Sequence, residues 1–418
     1  MRFVPAVMLL AALLAITPAM AKSTTPNSPA PGDMSQAEPA DADLQAVLAT
    51  MSVEEKVSQL IMSYPPLDKT AAVTVGAVVL TKDLLKHVDA VRTRVTDLQS
   101  RARIPLLVAV DQEGGKLNRL KILKGYEKVP SAEELGQGDE ATARAWGRKS
   151  GQAMRGLGLN CDLAPVLDVA DTGVMKDWNR SFSGDPDVVA KIGSAYARGL
   201  WEAGVVPIAK HYPGYGALEK NTDFHAVIAE RTPEEMAAQL KPFTEARPFL
   251  AGVLMANVAY RPYGGIPAIL SPELVGQAHG QGFLTVTDDL SVQALAEAIG
   301  GTASEVVRRA FLAGNDVLLT TEPIDWDKAL NYRKIVLDLL KEKPELSARL
   351  DQSVLRVLRV KAHAGLLTGD ALVRAKQKAS ETTPTSTQPS TSAPGLEVVR
   401  AASSATGPSA PTEGTPPK

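Results

Sequence analysis

The sequence predicts an α/β chain built as a single (β/α)8 barrel of the TIM type, and three observations lead there. Apolar runs of strand length recur eight times: Leu60 to Ser63, Gly76 to Leu80, Pro105 to Val110, Leu159 to Leu163, Val205 to Ala209, Gly252 to Ala256, Phe283 to Thr287 and Asp316 to Thr320. Their hydrophobicity is continuous rather than alternating, which suits parallel strands buried on both faces. Stretches with helical start signals separate them, and this alternation fits a barrel better than an open doubly wound sheet, although periodicity alone leaves closure undecided.

Taken in order, Met1 to Ala21 carries one early charge, Arg2, an apolar run and the small-residue ending Ala19-Met20-Ala21, the pattern of a cleaved secretory signal. The run is shorter than the roughly 20 residues of a spanning helix. Residues 22–43 are rich in Pro, Ser, Thr and Ala without apolar periodicity, and read as a disordered linker. The catalytic domain is expected over 44–378. Ser52 with Glu55 forms a capping box, as does Ser131 with Glu134, and Thr232 with Glu235 repeats it with Pro233 in the first turn. The last helix is expected from Leu346 to Ala364, with Gly365 as its stop. Residues 379–418 are again rich in Ser, Thr and Pro, and read as a disordered tail.

Composition narrows the function classes. In 418 residues, 44% hydrophobic, 45 Lys and Arg stand against 47 Asp and Glu for a net charge of -2, so no bulk field draws the protein to nucleic acid or anionic lipid. The single cysteine, Cys161, permits no internal disulfide and excludes an N-terminal lipid anchor; its apolar setting reads as core.

A barrel presents its chemistry at the C-terminal ends of the strands. The polar residues there are Asp111 with Gln112, Glu113 and the Gly114-Gly115 turn; Asp168 and Arg180; Lys210 and His211; Asn257; and Asp288-Asp289. Carboxylates, a guanidinium and an ammonium converging on one mouth suit a polyhydroxy ligand. Each residue also has a plainer structural reading: Asp111 as a helix N-cap, Lys210 and His211 as a buried brace, Asp289 as the cap of the helix after Leu290, His225 as an exposed loop histidine. No metal site is expected, because His211 and His225 have no Cys or His partner at ligand spacing.

Several strings together carry a resemblance: Val110-Asp111-Gln112-Glu113-Gly114-Gly115, Ala164-Pro165-Val166-Leu167-Asp168-Val169, Asn179-Arg180-Ser181-Phe182, Lys210-His211-Tyr212-Pro213-Gly214, Thr287-Asp288-Asp289-Leu290-Ser291 and Leu355-Arg356-Val357-Leu358-Arg359-Val360-Lys361. In this order, from about Leu44 to Leu367, they resemble the bacterial β-N-acetylglucosaminidases of glycoside hydrolase family 3. The resemblance implies a retaining, cofactor-free glycoside hydrolase on one barrel, with Asp288 as nucleophile and His225, oriented by Asp223, as general acid/base. It further implies that Asp111, Arg119, Arg180, Lys210 and His211 hold the sugar. A retaining mechanism needs a nucleophilic carboxylate and a proton donor. A histidine serves as donor if a carboxylate fixes its tautomer, and in an extended loop Asp223 and His225 would face the same way.

The sequence departs from the family pattern at four places: Tyr212 and Tyr215 replace Phe and His, the loop from Gly216 to Asp223 is longer than usual, Asn257 stands where His is frequent, and Lys116 where Arg is common. The expected protein is a periplasmic or secreted monomer that removes N-acetylglucosamine from peptidoglycan fragments or chitin oligosaccharides, without nucleic-acid partner or stable membrane insertion. A phosphorylase of the same family and a catalytically impaired sugar-binding protein are the alternatives.

Overall fold

The computed structural model describes residues 39–66, 68, 70–321 and 326–377. The expected signal sequence, nearly all of the linker and the tail lie outside the described residues. Eight strands form the central sheet: β1 (Ile61–Ser63), β2 (Ala77–Val79), β3 (Leu107–Val110), β4 (Cys161–Asp162), β5 (Val206–Tyr212), β6 (Gly252–Met255), β7 (Leu284–Thr287) and β8 (Leu318–Leu319). Each starts inside one of the apolar runs, and β5 alone continues past its run, through Lys210 and His211.

The order in space is β7-β6-β5-β4-β3-β2-β1-β8, with every pair parallel. A parallel bridge between Val286 and Val317 joins the two ends, and Thr287 donates its N–H to the Val317 carbonyl at 2.9 Å. The ring is closed, which decides the point that periodicity left open.

Successive side chains of a strand face opposite ways. Accordingly Ala77 and Val79, Leu107 and Ala109, Val206 and Ile208, and Leu284 and Val286 belong to one buried set, which fills the barrel. Val78, Val108, Val110, Ala209 and Val253 belong to the other, between strands and helices. Burying each such Val or Leu is worth about 1.5–3 kcal/mol, so these two layers supply most of the drive to fold. Val357, Val360 and Ala364, at and just beyond the helix Ser347–His363, join the interior set. That helix therefore stoppers the barrel at the end away from the polar loops, and Gly365 stops it with φ 70°.

All three capping boxes are present, at Ser52 and Glu55, Ser131 and Glu134, and Thr232 and Glu235. The linker expectation needs one correction: the first helix spans Asp41–Ala49, beginning before Leu44. Its acidic first turn suits the helix dipole, and Arg359 bonds Asp41 at 3.1 Å while Leu44, Val47 and Leu48 are buried. Among the described residues, no helix is long and apolar enough to cross a membrane.

Candidate active site

The polar residues gather at the C-terminal ends of the strands, and two buried carboxylates organise them. Glu113 follows β3 and precedes a turn in which Gly114 and Gly115 have φ 81° and 51°. A Cβ at Gly114 would lie 2.0 Å from the Pro130 carbonyl oxygen, so only glycine fits. Glu113 accepts Arg180 Nε at 2.7 Å and Nη2 at 2.9 Å, and lies 2.5 Å from Lys210 Nζ. Burial alone would raise its carboxyl pKa, but Arg180 and Lys210 outweigh burial and hold it well below the usual carboxylate range.

Asp168 is the second hub. It is fully buried, and its Oδ2 lies 2.7 Å from His211 Nδ1. Its Oδ1 accepts the backbone N–H groups of His211 at 3.1 Å and Tyr215 at 2.6 Å. The imidazole is thus held by Nδ1, and Nε2 comes within 3.5 Å of Arg180 Nη2. A regular strand would send Lys210 and His211 to opposite faces; the register of β5 on β6 shifts between Lys210 and Tyr212, and both side chains reach the mouth. The contacts seen for this pair are those of the buried brace, Lys210 to Glu113 and His211 to Asp168.

Asp111 does not cap a helix. It accepts Arg119 Nε at 3.0 Å and Nη2 at 2.6 Å, and both side chains remain partly open to solvent. Beneath them lie two residues whose role the sequence did not disclose. Gln112 Oε1 accepts the Arg119 and Leu120 N–H groups at 2.6 Å and 3.0 Å, and Asp162 Oδ1 accepts the Gln112 N–H at 2.9 Å. Burial pushes the Asp162 carboxyl well above the ordinary range.

Asp288 follows β7 and stands apart. Among the described residues, its carboxylate makes no ion pair and accepts only the Asp289 N–H, at 2.8 Å. Burial raises its pKa and Asp223 adds to the rise, while nearby His211 and the Asp289 N–H oppose it. Asp289 is structural but caps no helix: its Oδ1 accepts the Ser291 N–H at 2.8 Å and hydroxyl at 2.6 Å, and the next helix begins at Gln293.

Asp223 and His225 are not bonded to each other in this structure. The segment is a turn rather than an extended loop: Asn221 Oδ1 accepts the Asp223 N–H at 2.9 Å, and the Asn221 carbonyl accepts the Phe224 and His225 N–H groups at 3.2 Å and 3.1 Å. On a turn, residues two apart point away from each other. Asp223 Oδ2 accepts Asn221 Nδ2 at 3.2 Å instead, and both Asp223 and His225 are exposed. Tyr215, where the family has a second histidine, anchors this loop: its hydroxyl donates to the Lys220 carbonyl at 2.7 Å and accepts the Thr222 N–H at 3.0 Å. Among the described residues, no group of three or more His, Cys, Asp or Glu is placed to hold a metal ion.

A closed barrel whose mouth sets bidentate arginine–carboxylate pairs and a buried lysine around one unpaired carboxylate defines an enzyme acting on a polyhydroxy substrate. Residues 52–360 match the glycosyl hydrolase family 3 N terminal domain. The chain belongs to that family and is a glycoside hydrolase. It is 32% identical over 303 residues to a β-hexosaminidase of Thioalkalivibrio sulfidiphilus, covering 69% of this chain and 79% of the relative. It is 32% identical over 377 residues to the β-hexosaminidase LpqI of Mycobacterium bovis, covering 82% and 92%. Among solved structures, a family 3 β-N-acetylglucosaminidase from Paenibacillus superposes with TM-score 0.69 at 27% identity, over 76% of this chain and 64% of that one.

Proposed function

We propose that the protein is a retaining exo-β-N-acetylglucosaminidase that releases terminal N-acetylglucosamine from peptidoglycan fragments or chitin oligosaccharides. The observation that carries this reading is the unpaired Asp288, beside a mouth whose other carboxylates are engaged. A nucleophile must have a free lone pair at the anomeric carbon, and a carboxylate locked to a cation offers less of one. The names of the similar β-hexosaminidases supply the substrate class.

In this reading Asp111, Arg119, Arg180, Lys210 and His211 hold the hydroxyls of the cleaved sugar, and Glu113 and Asp168 fix the last three of those residues in place. Asp288 attacks C1 and forms a glycosyl ester while His225 protonates the departing oxygen; His225 then takes a proton from water, which opens the ester. Asp223 is the partner for the imidazolium, which requires the Asn221–His225 turn to open and reclose over bound substrate. The apolar N-terminal run suits export, so the enzyme acts outside the cytoplasm, as a monomer.

The test is hydrolysis of a chromogenic β-N-acetylglucosaminide and the matching β-glucoside, with and without phosphate. Clear preference for the first, independent of phosphate, is expected. Comparable kcat/KM on the glucoside would remove the substrate assignment, and phosphate-dependent turnover would replace hydrolase by phosphorylase. A fluorinated substrate should label Asp288; a label on Asp289 or Glu113 would overturn its role.

A further inference from the structure

Tyr215 ties the two sides of the mouth together. Its backbone N–H is one of the two that Asp168 Oδ1 accepts, at 2.6 Å, beside that of His211, and its ring meets the His211 imidazole edge-on with centroids 5.7 Å apart. At the far end of the same side chain, the hydroxyl donates to the Lys220 carbonyl at 2.7 Å and accepts the Thr222 N–H at 3.0 Å. Tyr215 and Thr222 are each 3% exposed, so water is a poor substitute for the bond between them.

The bonds further along the loop are of another kind. Asp223, Phe224, His225 and Ala226 are exposed, and the turn is held by Asn221, which accepts the N–H groups of Asp223, Phe224 and His225. An exposed N–H released from such a bond is taken up by water at little net cost, whereas a buried donor that loses its partner bears its full desolvation. Releasing the Thr222 N–H is therefore disfavoured, relative to releasing those of the turn, by about five- to a hundredfold. Downstream the chain is fixed again at Val227, whose carbonyl accepts the Ala259 N–H at 3.0 Å, and by the pairing of Ile228 with Ala259. Movement is thus confined to residues 223–226. His225 stands two residues from Val227, so its Cα can swing no further than about 7 Å from that anchor. Two departures from the family pattern meet here: Tyr215 in place of histidine, and the longer stretch from Gly216 to Asp223. By itself the longer stretch would give the acid slack. The hydroxyl bonds Lys220 and Thr222 back to the strand end and takes that slack up.

We propose that Tyr215 is a positioning residue for proton transfer, its hydroxyl being the fixed pivot on which the acid-bearing turn opens and recloses. The opening that the mechanism requires breaks the Asn221 bonds and leaves those of Tyr215 intact. Because the same residue is anchored on Asp168, the pivot keeps its place relative to His211 and so to the bound sugar. The inference rests on His225 as general acid/base and deepens that reading.

The experiment measures kcat and KM of the wild type, Tyr215→Phe, His225→Ala and the double variant on an activated aryl β-N-acetylglucosaminide and on N,N′-diacetylchitobiose. Phenylalanine keeps the ring against His211 and the N–H on Asp168, and removes only the hydroxyl. Tyr215→Phe should lower kcat on diacetylchitobiose by about tenfold with KM unchanged, and should barely affect the aryl substrate, which needs little protonation. Added to His225→Ala it should cost nothing further, since a pivot without an acid positions nothing. Equal losses on the two substrates, a raised KM with unchanged kcat, losses that add in the double variant, or no loss at all would overturn the inference. Residue-resolved amide exchange on the wild type decides it whether or not the variants fold: the Thr222 N–H should exchange at least about tenfold more slowly than those of Phe224 and His225. Exchange of all three at one rate would mean that the loop moves as a whole, with no pivot at Thr222. Failure of the parent reading looks different: equal losses on both substrates in His225→Ala itself would remove the proton donor, and the role of Tyr215 would fall with it.

Discussion

The two sides of the barrel mouth are built differently. On one side Glu113, Arg180, Lys210, Asp168 and His211 are locked into each other by short contacts, on or beside strands whose own side chains are packed in the core. On the other, Asp223 and His225 sit exposed on a turn, bonded to Asn221 and not to each other. For the proposed mechanism the difference means that the residues assigned to the sugar are organised before substrate arrives, whereas the proposed proton donor has to be assembled on it. Desolvating charges is costly, and the grip meets that cost once, on folding. The loop defers its ordering to the moment of binding.

The most severe way to break the comparison is at its centre. Asp288→Ala should reduce turnover by on the order of 10⁴ to 10⁶. Its melting temperature should not fall, because a carboxyl with a raised pKa costs the folded state free energy once it ionises. A single-turnover assay with a thermal melt reads both. Next, Glu113→Gln should strand the Lys210 and Arg180 charges in a buried site and cost roughly 3–5 kcal/mol of stability. Urea unfolding measures it, and a loss under 1 kcal/mol would mean the grip is not preorganised.

Third, His225→Ala should leave stability unchanged, while slowing substrates with poor leaving groups by about 10²-fold and activated phenols far less. Equal losses on both would make His225 a binding residue. The smallest effect is on pH. Asp288 must be ionised to attack, so its raised pKa moves the acid limb of kcat/KM above that of an ordinary aspartate. Asp223 contributes to the rise, and Asp223→Asn should shift that limb towards lower pH. An aryl substrate that needs little protonation isolates this shift; an unmoved or upward limb would contradict it.

Much of this was legible beforehand. Continuous apolar runs located all eight strands, since burial on both faces leaves that imprint, and the capping boxes were found because both halves lie within four residues. Closure was not legible, because the bridge from Val286 to Val317 depends on register around the whole ring. The hubs Glu113 and Asp168 appeared as two polar residues among several, their partners being supplied by other strands. Asp-x-His was misread as extended, although Asn221, two residues before Asp223, is a turn-forming signal that was there to be read.

The closed ring also has a kinetic consequence. β1 pairs on one side with β2 and on the other with β8, so its second edge waits for a strand made near the end of the domain, and the interior waits longer still, for Val357, Val360 and Ala364. Long-range parallel pairing of this kind slows folding, and an unpaired edge is open to other chains meanwhile. A chain truncated before Leu318 would present two raw edges and an unplugged interior, and would aggregate rather than form a smaller barrel.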